Sequence, residues 1–155
     1  MIIRRFTESD AKAAAQVVAV TTEISNSRDY PPEYIERLKE THSAEVLIQR
    51  AKEGHMYVIC DGEKIVGTGT IAPFWGSETE SILLTIFVLP DYQGKGLGRA
   101  LIETLEQDAY AKRASRIEIP ASLTAVRFYR HLGYDYKNGV TEPEDGLLYR
   151  LEKFR

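Results

Sequence analysis

The sequence predicts a single α/β domain spanning residues 1–155, with a mixed sheet of about seven strands flanked by about four to five helices. A length of 155 residues fits one domain with a sizeable core, and 43% hydrophobic with 28% charged residues is ordinary for a globular protein. Hydrophobic residues recur at helical spacing early in the chain, and the period changes to that of strands near the middle. Helices and strands that alternate in this way predict an α/β fold.

Composition and charge exclude several classes of protein. The net charge of −3 argues against a nucleic-acid-binding domain, since such domains are normally basic. One cysteine, Cys60, allows no internal disulfide, and the three histidines lack the close spacings of a zinc site, so we expect no metal. No apolar stretch approaches the roughly 20 residues that span a bilayer, and the N-terminus lacks a signal-peptide core. We therefore expect a cytoplasmic protein that does not bind a membrane.

The N-terminal third reads as one strand followed by helices. Ile2–Phe6 predicts the strand, and Thr7-Glu8-Ser9-Asp10 supplies capping side chains for the helix that follows. A segment rich in Asn, Ser and Pro interrupts the helical pattern, and Gly54 ends it. The predicted helices cover Ala11–Val20, a segment from the prolines at 31–32 to Lys39, and Ser43–Glu53.

The middle of the chain predicts a hairpin and a buried strand. Asp61-Gly62 is a hairpin turn signal between strands predicted at His55–Cys60 and Lys64–Phe74. Ile82–Leu89 is apolar without alternation, as expected of a strand that is covered on both faces.

The C-terminal part predicts two further helices and three short strands. Leucines at intervals of four residues indicate a helix over Leu97–Lys112. Pro120 is expected to end a strand, and Ser122 to cap a helix that Gly133 ends. The predicted strands are Arg116–Ile119, Tyr134–Lys137 and Leu147–Lys153.

The segment Gln93–Arg99 carries three glycines between a strand and a helix. Glycines allow a tight turn with several N–H groups directed at one spot, at the positive end of a helix dipole, which suits a phosphate or pyrophosphate. The segment lacks the Gly-Lys-Ser/Thr of a P-loop, and its glycine spacing is one residue short of the dinucleotide fingerprint.

Two motifs together resemble the GNAT-type N-acetyltransferases. Gln93-Gly94-Lys95-Gly96-Leu97-Gly98 matches that family's Gln/Arg-x-x-Gly-x-Gly/Ala motif, and Val88–Tyr92 resembles its usual lead-in. About 30 residues later, Ala125–Tyr134 resembles the Ala-x-x-Phe-Tyr-x-x-x-Gly-Phe/Tyr signature. The order of predicted elements fits the family over almost the whole chain, so the resemblance implies the GNAT fold with a mostly antiparallel sheet.

The resemblance implies that acetyl-coenzyme A is the cosubstrate. Its pyrophosphate would meet the backbone amides of Gly94, Lys95, Gly96, Leu97, Gly98 and Arg99. The family's fourth strand splays from the fifth, so unpaired backbone groups of Ile86, Phe87 and Val88 would pair with the pantetheine arm. Ser122 would lie in the same wall, where many relatives have Asn; a serine keeps the capping function but loses an amide.

The resemblance also implies an acyltransferase that moves acetyl directly to a primary amine. Tyr129 falls on the family's tyrosine beside the coenzyme sulfur and is the candidate general acid, and the Val88 N–H is the candidate oxyanion donor. The general base stays open between Glu118, which resembles a carboxylate of some members, Glu80, His55 and water.

We expect the acceptor to be a small-molecule or peptide amine, with small amine, antibiotic, peptide N-terminus and lysine side chain all left open, and a homodimer is compatible with the resemblance. Residues 23–34 and Phe74-Trp75-Gly76 suggest a pocket with acidic and aromatic groups for a cationic amine. A non-catalytic acyl-coenzyme A sensor on the same fold and an unrelated nucleotide-binding module are the competing interpretations.

Overall fold

A computed structural model describes residues 1–155 and contains one seven-stranded mixed sheet, as predicted. The strand order is β1-β2-β3-β4-β5-β7-β6, and every neighbouring pair is antiparallel except β4 and β5. The strands are β1 (Ile2–Arg5), β2 (His55–Asp61), β3 (Lys64–Pro73), β4 (Glu80–Val88), β5 (Arg116–Ser122), β6 (Asp135–Tyr136) and β7 (Leu148–Phe154).

Six helices cover the two faces of the sheet. They are α1 (Ala11–Ile24), α2 (Pro32–Glu40), α3 (Ala44–Glu53), α4 (Leu97–Glu106), α5 (Ala109–Lys112) and α6 (Val126–His131). On one face, Ala14 of α1 and Leu47 of α3 pack on Met56. On the other, Leu101 and Leu105 of α4 join the main core, where each buried leucine contributes about 2 kcal/mol. No helix is long and apolar enough to cross a membrane.

The single helix predicted over Leu97–Lys112 is in fact two helices, because Asp108 interrupts it. Its carboxylate accepts a hydrogen bond from the Tyr110 amide (2.9 Å) and caps α5. The same carboxylate accepts from the Tyr57 hydroxyl (2.6 Å) and lies 2.8 Å from Nδ1 of His55. An aspartate that bonds neighbouring backbone and side-chain groups competes with helix continuation.

Strand β5 continues through Pro120 to Ser122, so the prediction that the proline ends it is wrong. The Arg155 N–H donates to the Ser115 carbonyl, and strand alternation then directs the backbone groups of Pro120 away from β7. On that side β4 has already diverged, because the last β4–β5 pair is Ile82 with Glu118. The missing N–H of the proline therefore costs no ladder hydrogen bond.

A bulge in β4 accompanies this divergence. The register with β3 shifts between the pairs Thr70–Leu84 and Thr68–Phe87, and Thr85 has a φ of 54°. A positive φ is unfavourable for a β-branched residue and is held only by its surroundings. Here the Thr68 hydroxyl donates to the Thr85 carbonyl (2.6 Å), and the hydroxyls of Thr70 and Thr85 are hydrogen-bonded to each other. The bulge and the short β4–β5 pairing open a wedge in the sheet.

Candidate active site

A cavity of about 580 Å³ occupies the wedge between β4 and β5. Residues 83–88 of β4 form one wall, and residues 119–129 contribute to the other. The glycine segment forms part of the lining, and side chains from α2, α3 and the loop between them form another part. Both motifs singled out in the sequence therefore meet at one cavity.

The backbone of β4 offers two residues to this wedge rather than three. The Leu89 N–H donates to the Val66 carbonyl on β3 (2.9 Å). Alternation along an antiparallel pair then directs the backbone groups of Phe87 to β3 and those of Ile86 and Val88 into the wedge. The prediction that Phe87 also offers free backbone groups is corrected, and only its side chain lines the cavity.

Gln93 fixes the end of this strand. Its side-chain amide donates to the Val88 carbonyl (2.8 Å) and to the Ser25 hydroxyl (3.1 Å). With the Val88 carbonyl satisfied in this way, strand alternation still leaves the Val88 N–H directed into the wedge. Gln93, the first residue of the glycine motif, is thus hydrogen-bonded both to β4 and to the residue that follows α1.

Six consecutive amides, from Gly94 to Arg99, donate no hydrogen bond within the protein. Gly94 (φ 74°) and Gly96 (φ 81°) take left-handed conformations, and Gly96 caps α4. Gly98 serves close packing instead, since a Cβ there would lie 3.0 Å from the Phe128 ring. Free amides at the N-terminus of a helix form a site for an anion.

Some residues of this segment line the cavity and others do not. Gly94, Gly96, Gly98 and Arg99 line the cavity, whereas Lys95 and Leu97 do not. Lys95 Nζ lies 5.5 Å from the centroid of the Tyr92 ring, and Arg99 lies 3.7 Å from Glu103. The basic side chains are exposed, so backbone amides provide the fixed part of the site.

Tyr129 lies on the cavity wall with only 4% of its surface exposed. Its hydroxyl makes no hydrogen bond within the protein, although the ring packs against Phe128 and the main core. Burial raises the pKa of Tyr129 well above the ordinary value, so the hydroxyl stays protonated. A protonated, unpartnered hydroxyl facing a cavity is equipped to donate a proton.

Ser122 also lines the cavity, but the helix that it was expected to cap begins at Val126. Its hydroxyl accepts a hydrogen bond from the Ala125 amide (3.1 Å) within the preceding turn.

The Tyr30 hydroxyl binds the same wall. It accepts a hydrogen bond from the Leu123 amide (2.8 Å) and donates one to the Leu147 carbonyl (2.6 Å). Burial raises the pKa of Tyr30 to about 12. The segment between α1 and α2 is thereby held against this wall.

Glu118 lies in a buried ion cluster and does not line the cavity. Its side chain is 1% exposed, and its oxygens lie 3.0 Å from Arg116, 2.8 Å from Lys137 and 3.5 Å from Arg150. These three cations hold both carboxylate oxygens in ion pairs outside the cavity. The role of Glu118 as general base stays a prediction, and this position does not favour it.

The two other protein candidates for the base are also engaged elsewhere. The Arg116 guanidinium, 2.8 Å away, holds the pKa of Glu80 below its usual range. His55 is bound to Asp108 on the face that carries α4 and α5. Neither Glu80 nor His55 lines the cavity.

The structure brings in residues that sequence reasoning missed, chiefly His42 and Arg50. His42 Nδ1 lies 2.8 Å from the Leu38 carbonyl and must donate to it, and its ring contacts Phe87 with centroids 5.3 Å apart. Burial lowers the pKa of His42 to about 4, so it is neutral with Nε2 unprotonated. No local motif marks these residues, since tertiary packing of α2 and α3 alone brings them to the cavity.

The acidic groups that were expected around the acceptor do not line the cavity. Tyr30 and Tyr34 line it, with stacked rings 4.6 Å apart, but no Asp or Glu lines any part of the cavity. Trp75 is 85% exposed and lies outside the cavity.

Comparison with known proteins finds acetyltransferases both among protein families and among individual relatives. The model of the acetyltransferase (GNAT) family matches residues 21–134. The histone acetyltransferase TAP1 of Glycine max is 42% identical over 50 residues, which is 32% of this chain. That match spans only about a fifth, 22%, of the relative's own length.

Solved structures match over nearly the whole chain. PaiA N-acetyltransferase from Thermoplasma acidophilum, solved with coenzyme A, has a TM-score of 0.83 at 20% identity and covers 99% of this chain and 98% of that one. A GCN5-related N-acetyltransferase from Rhodopseudomonas palustris has a TM-score of 0.80 at 22% identity and covers 99% and 95%. At these identities the likeness shows the fold. With the family match and the two sequence motifs, it establishes that the chain belongs to the acetyltransferase (GNAT) family of acyltransferases.

Proposed function

We propose that this protein transfers the acetyl group of acetyl-coenzyme A directly to a primary amine. The observation that carries the proposal is the run of six free amides beside a splayed strand and an unpartnered, protonated Tyr129. These features supply in one cavity a place for a pyrophosphate, a strand-like partner for an extended arm, and a proton donor.

The residues present fit coenzyme A. The amides from Gly94 to Arg99 would bind the pyrophosphate, and Arg99 adds positive charge at the cavity rim. Ile86 and Val88 would hydrogen-bond the pantetheine arm as a neighbouring strand does. The similar PaiA enzyme was solved with coenzyme A, which supports this assignment.

The chemistry needs three contributions from the chain. The amine attacks the thioester carbonyl only when neutral, whereas an alkylamine has an ordinary pKa near 10.4. The Val88 N–H would donate to the oxyanion that develops on the carbonyl oxygen. As the carbon–sulfur bond breaks, the thiolate takes the Tyr129 proton, and the new amide retains the acetyl group.

The amine's own proton leaves through water in this proposal. No carboxylate lines the cavity, and Glu118, Glu80 and His55 are bound to other groups. His42 is unprotonated but too weakly basic to hold the proton of an alkylammonium.

Thiol release from acetyl-coenzyme A tests the proposal across a panel of primary amines, with product mass as the second readout. We expect acceptor-dependent release and an amine heavier by one acetyl group. Calorimetry with coenzyme A and acetyl-coenzyme A separates the alternatives. Binding without turnover would identify a non-catalytic sensor, whereas binding of NAD or ATP alone would contradict the coenzyme assignment.

A further inference from the structure

Arg50 is an unpartnered cation on the wall of the cavity. It lies in the last turn of α3, is half-buried and lines the cavity with His42. Its guanidinium makes no hydrogen bond, ion pair or cation–π contact in the protein, although Glu53 lies three residues later on the same helix. Glu53 instead accepts from Gln49 (3.0 Å).

The residues of α2 and of the loop after it that line the cavity with Arg50 carry no charge. His42 is neutral, since burial lowers its pKa, and Tyr34 and Leu38 carry no charge. No Asp or Glu lines the cavity, so the only negative charge close to the guanidinium is that of Glu53, which lies outside the cavity and makes no ion pair with it. Partial burial of a cation that lacks a paired anion is unfavourable, so the site favours a ligand that brings a negative charge.

The phosphates of coenzyme A do not explain this cation. Their place is set by the free amides at the N-terminus of α4, and α4 packs on the opposite face of the sheet from α3. Arg50, on α3, is therefore not part of the amide site at the N-terminus of α4.

We propose that the acceptor is a primary amine that also carries a carboxylate, and that Arg50 binds this carboxylate. The inference rests on the proposed acetyl transfer and narrows its acceptor to amino acids or peptides with an accessible carboxylate. Guanidinium and carboxylate form paired, charge-assisted hydrogen bonds. Polyamines and aminoglycosides are disfavoured, because a cation beside Arg50 adds repulsion where solvent screening is reduced.

Matched acceptor pairs test this proposal. Each amino acid is compared with its carboxamide, which keeps the amine and side chain but removes the negative charge. We expect kcat/KM at least tenfold higher for the carboxylates with the native protein. In Arg50→Gln this preference should disappear through a higher KM for carboxylates, while carboxamides change less than twofold. Arg50→Lys should recover part of the preference.

The controls separate recognition from folding. Lys52→Gln removes an equal charge from an exposed position on the same helix and should leave the preference intact. Thermal unfolding and coenzyme A affinity should be alike in all variants. Equal losses for both acceptor classes in Arg50→Gln, or a native preference for polyamines, would overturn the proposal.

A binding measurement keeps this inference separate from the proposed function. N-acetylated amino acids and their carboxamides are titrated in the presence of coenzyme A. Arg50-dependent binding of the carboxylates without any turnover would contradict acetyl transfer and leave the carboxylate site standing. Turnover with no dependence on Arg50 would contradict the carboxylate site and leave the proposed acetyl transfer standing.

Discussion

The hydroxyl of Tyr129 and the carboxylate of Glu118 show how the same fold gives two predicted catalytic groups different environments. The hydroxyl faces the cavity with no protein partner, and burial keeps it protonated. The carboxylate lies among Arg116, Lys137 and Arg150, outside the cavity. At the scale of the residue, surroundings rather than side-chain type decide which group is available for chemistry.

Replacement of Tyr129 by Phe should lower kcat about 100-fold, the smaller end of the range for loss of a general acid. The ring keeps its packing on Phe128, so coenzyme A affinity and thermal stability should change little. Steady-state kinetics with calorimetry measure both. Tyr136→Phe, at a partly buried position outside the cavity, is the control. An unchanged kcat would show that the thiolate is protonated by another route.

Replacement of Glu118 by Gln should lower the free energy of unfolding by about 3 kcal/mol, because it leaves buried cations with less compensation. Chemical denaturation measures this loss. Below the melting transition we expect kcat and its pH profile to be retained. A large fall in kcat with the loss of one ionisation from the profile would instead establish Glu118 as the base.

At the scale of elements, the bulge in β4 and the glycine turn before α4 create the site together. The bulge at Thr85 and the three-pair contact with β5 open the wedge, and Gly94 and Gly96 leave the first amides of α4 without partners. Neither element alone gives both a strand edge and an anion site at the same cavity.

Replacement of Gly96 by Ala should weaken coenzyme A binding about tenfold, because an L-residue at a φ of 81° is strained and the turn shifts to relieve it. Gly62→Ala is a matched control, since it also has a positive φ (61°) with open space around it but lies in the β2–β3 turn. Both variants should lose about 1 kcal/mol of stability. Equal coenzyme affinity in the two would contradict a role for the Gly96 turn in binding.

At the scale of the whole molecule, two buried carboxylates connect strands to the helices that pack on them. Arg4 of β1 binds Asp10 through paired contacts of 2.8 and 2.9 Å before α1 begins. Asp108 joins β2 to the break between α4 and α5. The hydrogen bonds from Arg4 hold the pKa of Asp10 below its ordinary value. Burial opposes the ionisation of Asp108, but hydrogen bonds from Tyr57, Tyr110 and His55 outweigh it and lower the pKa of Asp108 as well.

These depressed pKa values predict a loss of stability in acid. A carboxyl whose folded pKa lies below the unfolded value near 3.9 contributes its full stabilisation above that value and loses it as the pH falls through the folded pKa. The melting temperature should therefore decrease as the pH is lowered past about 4. Asp10→Asn should be less stable at pH 7 and show a shallower fall in acid. A fall as steep as that of the native protein would exclude Asp10 as a contributor.

Local pattern by itself determined where the seven strands lie, although not the end of β5, as well as most helix bounds and the two motifs, because glycine turns, capping residues and hydrophobic period act within a few neighbouring residues. It also identified Tyr129 and the segment Gln93–Arg99, through a resemblance that the family match confirmed. Tertiary structure alone decided that Asp108 divides a helix, that Phe87 turns its backbone to β3, and that Glu118 is surrounded by cations. It alone brought His42 and Arg50 to the cavity, because contacts between elements distant in sequence set burial and charge there.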